Sequence, residues 1–320
     1  MRDSTKKLIS ILIPSYNEEK NIEPLYEELE KVISIHRVKY DFEYIFVDDG
    51  STDKTVEVLE SYAKKDEKIK VIELSRNFGK EIALTAGIHQ VNSDALIIMD
   101  ADLQHPPELI STFIQKWEKG YEIVATKRLE IEKRSFVKKI GSKVFYKMIN
   151  AMSETEMVSG TTDFRLLDKI IVTQLKQFTE RNRLVRGLID WMGFKKTYVE
   201  FSAPDRIHGE AGYTVYKLIQ LAINSFTSFS LFPLKMAGYI GTFIFIISGC
   251  LFSWMLIDKY ILFQHSYSSI SYVIVANTFL MGVVLMALGM IALYIGYIHT
   301  EVTNRPLFII RKKSNFKEED

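Results

Sequence analysis

Two long stretches of this chain, residues 236–257 and 272–298, contain no Asp, Glu, Lys or Arg. Each exceeds the roughly 20 apolar residues that a helix needs to cross a bilayer. Both are therefore expected to cross a membrane; helices buried in a soluble core are the alternative. Gly238, Gly241 and Gly249 in the first, and Gly282, Gly289 and Gly296 in the second, let membrane helices approach closely, so a homo-oligomer is compatible with the pattern. The loop between them holds one Lys and one Asp, whereas Arg305, Arg311, Lys312, Lys313 and Lys317 follow the second stretch. By the positive-inside tendency this tail, 300–320, is expected to be cytoplasmic. With two crossings the N-terminal domain lies on the same side. The short apolar run after the polar start Met1–Lys7 reads as a strand, so no cleavable signal is expected. A multi-pass protein of the cell membrane follows, with its main domain in the cytoplasm.

Charge is balanced, 41 Lys and Arg against 40 Asp and Glu, which argues against a nucleic-acid binder. The single cysteine, Cys250, excludes a disulfide framework within the chain. It lies in an apolar run and reads as packing.

From Leu8 to about Thr126 the chain alternates short apolar runs (8–13, 44–47, 69–74, 95–99, 123–125) with helical patterns (19–35, 53–65, 80–91, 107–119). The alternation predicts an α/β domain with a mainly parallel sheet covered on both faces. In such sheets ligands bind at the carboxyl ends of the strands. Residues 127–147 hold eight Lys or Arg against two Glu, a locally basic segment. Val215, Leu218, Ile219, Ala222, Ile223, Phe226 and Phe229 recur at three- and four-residue spacing, so 214–230 reads as an amphipathic helix. It runs directly into a membrane segment, which favours a place at the bilayer surface over packing on the domain. The organisation expected is a domain over 1–213, the surface helix, a membrane region over 231–299, and the basic tail.

Acidic residues close three of the runs. The first ends in Ile13-Pro14-Ser15-Tyr16-Asn17-Glu18-Glu19. No glycine is present to bring backbone against a pyrophosphate, so the dehydrogenase reading loses weight. Tyr16 can stack on a base and Glu18 can accept from a base or ribose; Asn and Glu also suit a helix start. The second ends in Val47-Asp48-Asp49-Gly50-Ser51-Thr52-Asp53. There Asp48 or Asp49 can meet a nucleoside, or the segment can serve as turn and cap, through Ser51 or Asp53. The fourth ends in Asp100-Ala101-Asp102-Leu103-Gln104-His105-Pro106-Pro107. Two carboxylates one residue apart at a strand end can converge on a hard cation, Mg²⁺ or Mn²⁺, that also bridges a nucleotide diphosphate; Gln104 adds a neutral oxygen. For His105 a surface position is the default.

Together IPSYNEE (13–19), VDDGSTD (47–53), LSRNFGKEIALTAGI (74–88), DADLQHPPELI (100–110), SGTTDFRLLD (159–168) and TSFSLFPLK (227–235) resemble glycosyltransferase family 2. These are inverting transferases with a GT-A, Rossmann-like fold. Within the family the chain looks most like the bacterial polyprenyl-phosphate (bactoprenol) glucosyltransferases, related to dolichol-phosphate mannose synthase. The resemblance implies that Pro14, Tyr16, Glu18 and Asp49 surround the nucleotide, with Asp100 beside ribose and sugar. It assigns the metal to Asp102 and Gln104, and the acceptor side to Asp163. Arg128, Arg134 and Arg206 match positions that hold the acceptor phosphate, and Arg76–Lys80 would lie beneath the site. The family often has Arg-x-x-Gly-Glu-Ser/Thr-Lys-Tyr/Trp before the surface helix. Here Arg206 and Gly209 match, but Gly212 stands where the Lys is expected.

The implied reaction is transfer of a sugar, glucose from UDP-glucose in this group, to polyprenyl (undecaprenyl) phosphate at the cytoplasmic membrane face. It gives a β-linked lipid-phosphate sugar for cell-envelope glycans. The alternatives are the same chemistry with UDP-N-acetylglucosamine, UDP-galactose, GDP-mannose or an amino-arabinose donor. More remote are a processive polysaccharide synthase, whose Gln-x-x-Arg-Trp is missing here, and a catalytically silent membrane partner.

Overall fold

The computed structural model describes residues 6–128, 160–181, 183–201, 254, 257, 261, 268–303 and 305–316. Over the first part of the chain the predicted alternation is realised as β1 (Lys7–Ser15), α1 (Ile22–Ser34), β2 (Tyr40–Asp48), α2 (Thr55–Lys65), β3 (Ile69–Leu74), α3 (Lys80–Gln90), β4 (Ala95–Ile98), α4 (Leu109–Glu118) and β5 (Ile123–Arg128). Then come β6 (Thr161–Asp168), α5 (Lys169–Leu175), α6 (Val185–Trp191), β7 (Lys196–Phe201), α7 (Ser269–Val302) and β8 (Ile310–Ser314).

The eight strands form one sheet in the order β7-β5-β6-β4-β1-β2-β3-β8. Its centre, β4-β1-β2-β3, is parallel. The flanks are mixed: β6 runs antiparallel to both β4 and β5, β7 parallel to β5, and β8 antiparallel to β3. Alternation along β1 shows how the sequence fills both faces. Ile9, Ile11 and Ile13 enter one cluster with Leu25, Leu29, Leu59, Ile110 and Phe113 of α1, α2 and α4. Leu12 faces the other way, against Gly87 of α3, where a Cβ would stand 2.2 Å from the Leu12 Cδ1. Glycine is required there so that α3 can lie close to the sheet.

Strand order reverses between β1 and β4, since β2 and β3 lie on one side of β1 and β4 on the other. That switch point opens a crevice at the carboxyl ends, where ligands of such sheets bind. It brings the turn after Ser15 beside the turn after Ile98, with the Met99 N–H donating to the Leu12 carbonyl at 3.1 Å.

The chain divides into two compact units, Met1–Tyr216 with Pro306–Asp320, and Lys217–Arg305. The basic tail thus belongs to the first unit, through β8. In the second unit α7 runs 34 residues, with Glu301 the only charged residue in its sequence; at 1.5 Å per residue this is about 51 Å. Among the described residues no helix is long and apolar enough to cross a membrane; side chains along much of α7 lie outside that description. The expected surface helix 214–230 and nearly all of the first apolar stretch lie outside the described residues.

Candidate active site at the strand ends

The first two turns are locked to each other. Asn17 takes a left-handed conformation, φ 57°, from which its Oδ1 accepts from the Thr52 N–H at 2.8 Å. The Asn17 N–H donates to the Ser51 Oγ at 2.9 Å, and the Glu18 N–H to the Thr55 Oγ1 at 2.8 Å. Asp53 accepts from the Thr55 N–H at 3.0 Å, so Asp53 organises the start of α2, while the Ser51 N–H donates to Asp48. This frame leaves Tyr16 44% exposed at the rim, with Pro14 half-buried in β1 and Glu18 half-buried behind it.

Asp49 is buried, and its carboxylate accepts from the N–H groups of Phe78 at 2.7 Å and Gly79 at 2.8 Å. It therefore clamps the loop before α3. Gly50 lets the two backbones touch: its φ is +69° and an added Cβ would stand 2.4 Å from the Arg76 carbonyl carbon. Arg76 lies over the Phe78 ring at 4.1 Å. The loop ends at Lys80, the first residue of α3.

Lys80 joins two strand ends. Its Nζ lies 2.6 Å from the Asp100 Oδ1 and 2.8 Å from the Asp163 Oδ2. Burial alone would pull the ammonium down, but Asp163 and Asp100 reverse this and hold it well above its ordinary value. Burial likewise opposes ionisation of Asp163; Lys80, Arg186 and Arg165 overcome it and hold the carboxyl well below the usual range. Arg165 is buried on the same strand, its guanidinium donating to the Thr162 carbonyl at 2.6 Å. Beside it the half-buried Glu81 is pushed up to about 7 by burial and by Asp163.

In the turn after β4, the Gln104 N–H donates to the Asp102 Oδ1 at 3.2 Å. Leu103 takes a left-handed φ of 59°. His105 departs from expectation: it is not on the surface but 6% exposed. Its Nδ1 accepts from the Asp100 N–H at 3.0 Å, and the ring stacks on Phe164 at 5.1 Å. Burial lowers its pKa, with Asp100 opposing.

The structure thus gathers Glu18, Asp100, Asp102 and Asp163, with Lys80 between two of them. Burial raises the Glu18 carboxyl, the Asn21 amide opposes, and Asp102 and Asp100 raise it further. Such mutual repulsion of strand-end carboxylates is what a divalent cation relieves, so the residues fit one. Among the described residues no group of three or more His, Cys, Asp or Glu is arranged around a common point. Mg²⁺ commonly takes one or two carboxylates and completes its shell with substrate phosphates and water. Arg128, half-buried, closes β5 with its N–H on the Gly160 carbonyl at 2.9 Å. Arg134, Arg206 and Gly212 lie outside the described residues. Lys80, Glu81, Arg165 and Arg186 carry the electrostatics of the site, yet sequence reasoning left their pairing unread. The resemblance placed Lys80 beneath the site without its partners, Glu81, Arg165 and Arg186 were given no role of their own, and the Lys80–Asp163 pair spans 83 positions.

Residues 10–175 match glycosyl transferase family 2. The chain is 40% identical, over 95% of its length and 93% of the relative's, to the uncharacterized glycosyltransferase YkcC of Bacillus subtilis (strain 168). It is 36% identical, over 95% and 97%, to the SfII prophage-derived bactoprenol glucosyl transferase of Shigella flexneri. Among solved structures, the mannosyltransferase PcManGT from Pyrobaculum calidifontis in complex with GDP-Man and Mn2+ is 18% identical with a TM-score of 0.46, over 70% of this chain and 64% of that one. The chain is a glycosyltransferase, and it belongs to glycosyl transferase family 2, in the group of the bactoprenol glucosyl transferases.

Proposed function

We propose that the protein transfers glucose from UDP-glucose to polyprenyl phosphate at the cytoplasmic face of the cell membrane, with inversion to a β-linked product. The observation that supports this is the Lys80 bridge: one cation links Asp100, which the resemblance puts beside the donor, to Asp163, which it puts on the acceptor side. In the proposed arrangement the nucleotide lies along the turns after β1 and β2, against Tyr16 and Glu18, with Asp49 holding the loop beneath.

A phosphate monoester has a second pKa near 6, so the acceptor is largely dianionic at neutral pH and needs little help from a base. Asp163, held far down by three cations, is a feeble base. Its role is to position the site, holding Lys80 beside Asp100 rather than taking a proton from the acceptor. Asp102 and Gln104 would hold Mg²⁺ or Mn²⁺, which when bound offsets charge on the departing diphosphate. Arg128, with Arg134 and Arg206, would take the acceptor phosphate through charge-assisted hydrogen bonds.

Support for the membrane placement comes from the apolar sequence of α7 and from a name: the Shigella flexneri relative is a bactoprenol glucosyl transferase. The donor is tested by incubating membranes containing the protein with polyprenyl phosphate, Mg²⁺ and labelled UDP-glucose, UDP-N-acetylglucosamine, UDP-galactose and GDP-mannose, then weighing the lipid product. A hexosyl product from UDP-glucose alone supports the reading; exclusive use of another donor replaces glucose. In the same assay Asp102→Asn is expected to abolish transfer, and Asp163→Asn to cut turnover on the order of 100-fold. Near-wild-type turnover of Asp163→Asn would remove Asp163 from the machinery and leave the ion site standing.

A further inference from the structure

His105 ties the donor-side turn to the acceptor-side strand by a route independent of the charges. The Asp100 N–H donates to its Nδ1 at 3.0 Å, so the ring proton resides on Nε2, which stands 3.9 Å from the Asp100 Oδ2, beyond hydrogen-bond reach. The hydrogen bond closes the turn from residue 100 to residue 105. Inside that loop Leu103 holds a φ of 59°, a conformation that a residue with a Cβ disfavours. The Asp102 carboxylate meanwhile accepts the Gln104 N–H. A turn with such a residue reverts to commoner geometry unless its ends are pinned. Pro106 and Pro107 stiffen the exit. On its other side the imidazole lies nearly parallel to Phe164, 5.1 Å centre to centre and 17° apart, and edge-on to Phe201 at 6.4 Å. Phe164 follows Asp163 in β6.

We propose that His105 is a positioning residue for glycosyl transfer: its Nδ1 clasps the turn bearing Asp102 and Gln104, and its ring seats that turn against Phe164, beside Asp163. The proposal rests on the reading above, in which this turn serves the donor. A histidine that merely fills core volume makes a different prediction, because packing and hydrogen bonding are carried by different parts of the ring. His105→Phe keeps an aromatic ring against Phe164 and leaves the Asp100 N–H without its acceptor. His105→Asn places an oxygen where Nδ1 stood and removes the ring. His105→Gln places its amide at the reach of Nε2, beyond the Asp100 N–H.

The full chain in membranes is assayed with polyprenyl phosphate, Mg²⁺ and the donor that the panel selects, with thermal midpoints measured on the purified chain. For His105→Phe, kcat is expected to fall at least about tenfold with the midpoint within about 3 °C of wild type. For His105→Asn, the midpoint is expected to fall by more than about 3 °C, while kcat, measured below the transition, stays within about fivefold. His105→Gln is expected to lose both. The crossing of stability and turnover is the signature of a clasp. If kcat follows the midpoint in both variants, or if His105→Phe turns over as wild type does, the proposal is overturned. Should His105→Asn not accumulate, the folded His105→Phe decides alone. Asp102→Asn separates the two readings: full activity there defeats the assignment of the turn itself. An inactive Asp102→Asn beside an active His105→Phe defeats only the role of His105.

Discussion

At Lys80 a single ammonium is shared between a carboxylate in the turn after β4, Asp100, and one on β6, Asp163, while the Oε2 of neighbouring Glu81 accepts the Val185 N–H at 2.8 Å. The two residues show opposite outcomes of burial. Lys80 keeps its charge because two anions meet it, whereas Glu81 sits near Asp163 and is raised from 4.5 to about 7. A group whose folded pKa lies above its unfolded value contributes stability that is complete below about pH 4.5 and lost as pH rises through about 7. Asp163 works with the opposite sign, but only below its ordinary 3.8, outside that window. His105, lowered from 6.5, also opposes, so the wild-type curve is a mixture and the difference from a variant is the clean measure. Glu81→Gln retains an acceptor for Val185 and removes the titration. Its thermal midpoint is expected to match wild type at pH 5 and to exceed it by about 3 °C at pH 8. Equal destabilisation at both pH values would instead mean that ionised Glu81 is a needed partner of the nearby arginines. At this scale the acidic strand tips were legible, since a carboxylate closing an apolar run stands out locally. The charges that neutralise them were not, because pairing across 83 positions leaves no periodic trace.

Among the elements, β1 to β5 were readable because their apolar runs alternate with four helices of fitting period. β8 was not. Its sequence Ile-Arg-Lys-Lys-Ser has no apolar alternation, and it is a strand because β3 offers an open edge. The cationic side chains contribute little to holding it: Arg311–Glu73 and Lys312–Glu60 are ion pairs with arginine and lysine 62% and 55% exposed. More is carried by Asn315, in the left-handed region at φ 61°, where Asn is better tolerated than most residues. Its Nδ2 donates to the carbonyls of Ala63 at 2.6 Å and Ile69 at 2.8 Å, joining the end of α2 to the start of β3. Asn315→Ala loses both bonds and pays the backbone penalty, about 2 kcal/mol together. The midpoint is expected to fall by about 4–8 °C, with transfer at 25 °C unchanged. Truncation before Pro306 is expected to go further, exposing the β3 edge and causing self-association, since an open edge is a pairing template. A truncated chain that stays monodisperse with an unshifted midpoint would show that β8 does not hold that edge.

For the whole molecule, sheet topology constrains any crossing of a membrane by this chain. Because β8 pairs with β3, residues 7–74 and 310–314 must share a compartment, and whatever lies between crosses an even number of times. The tail charges point the same way through an unrelated principle, the positive-inside tendency. Neither argument separates two crossings from none; what separates them is the side on which the start of α7 lies. With Cys250 replaced by Ala, single cysteines at Lys20, Ser268 and Glu301, all exposed, report the three positions. An impermeant maleimide applied to intact cells is expected to label Ser268→Cys, and to reach Lys20→Cys and Glu301→Cys only after permeabilisation. Protection of all three, with the protein released by alkaline carbonate, would mean that α7 lies on the membrane and that the lipid acceptor is taken from its surface. Labelling of Glu301→Cys without Lys20→Cys would break the β3–β8 pairing itself, because a strand on one side of a membrane cannot complete a sheet on the other.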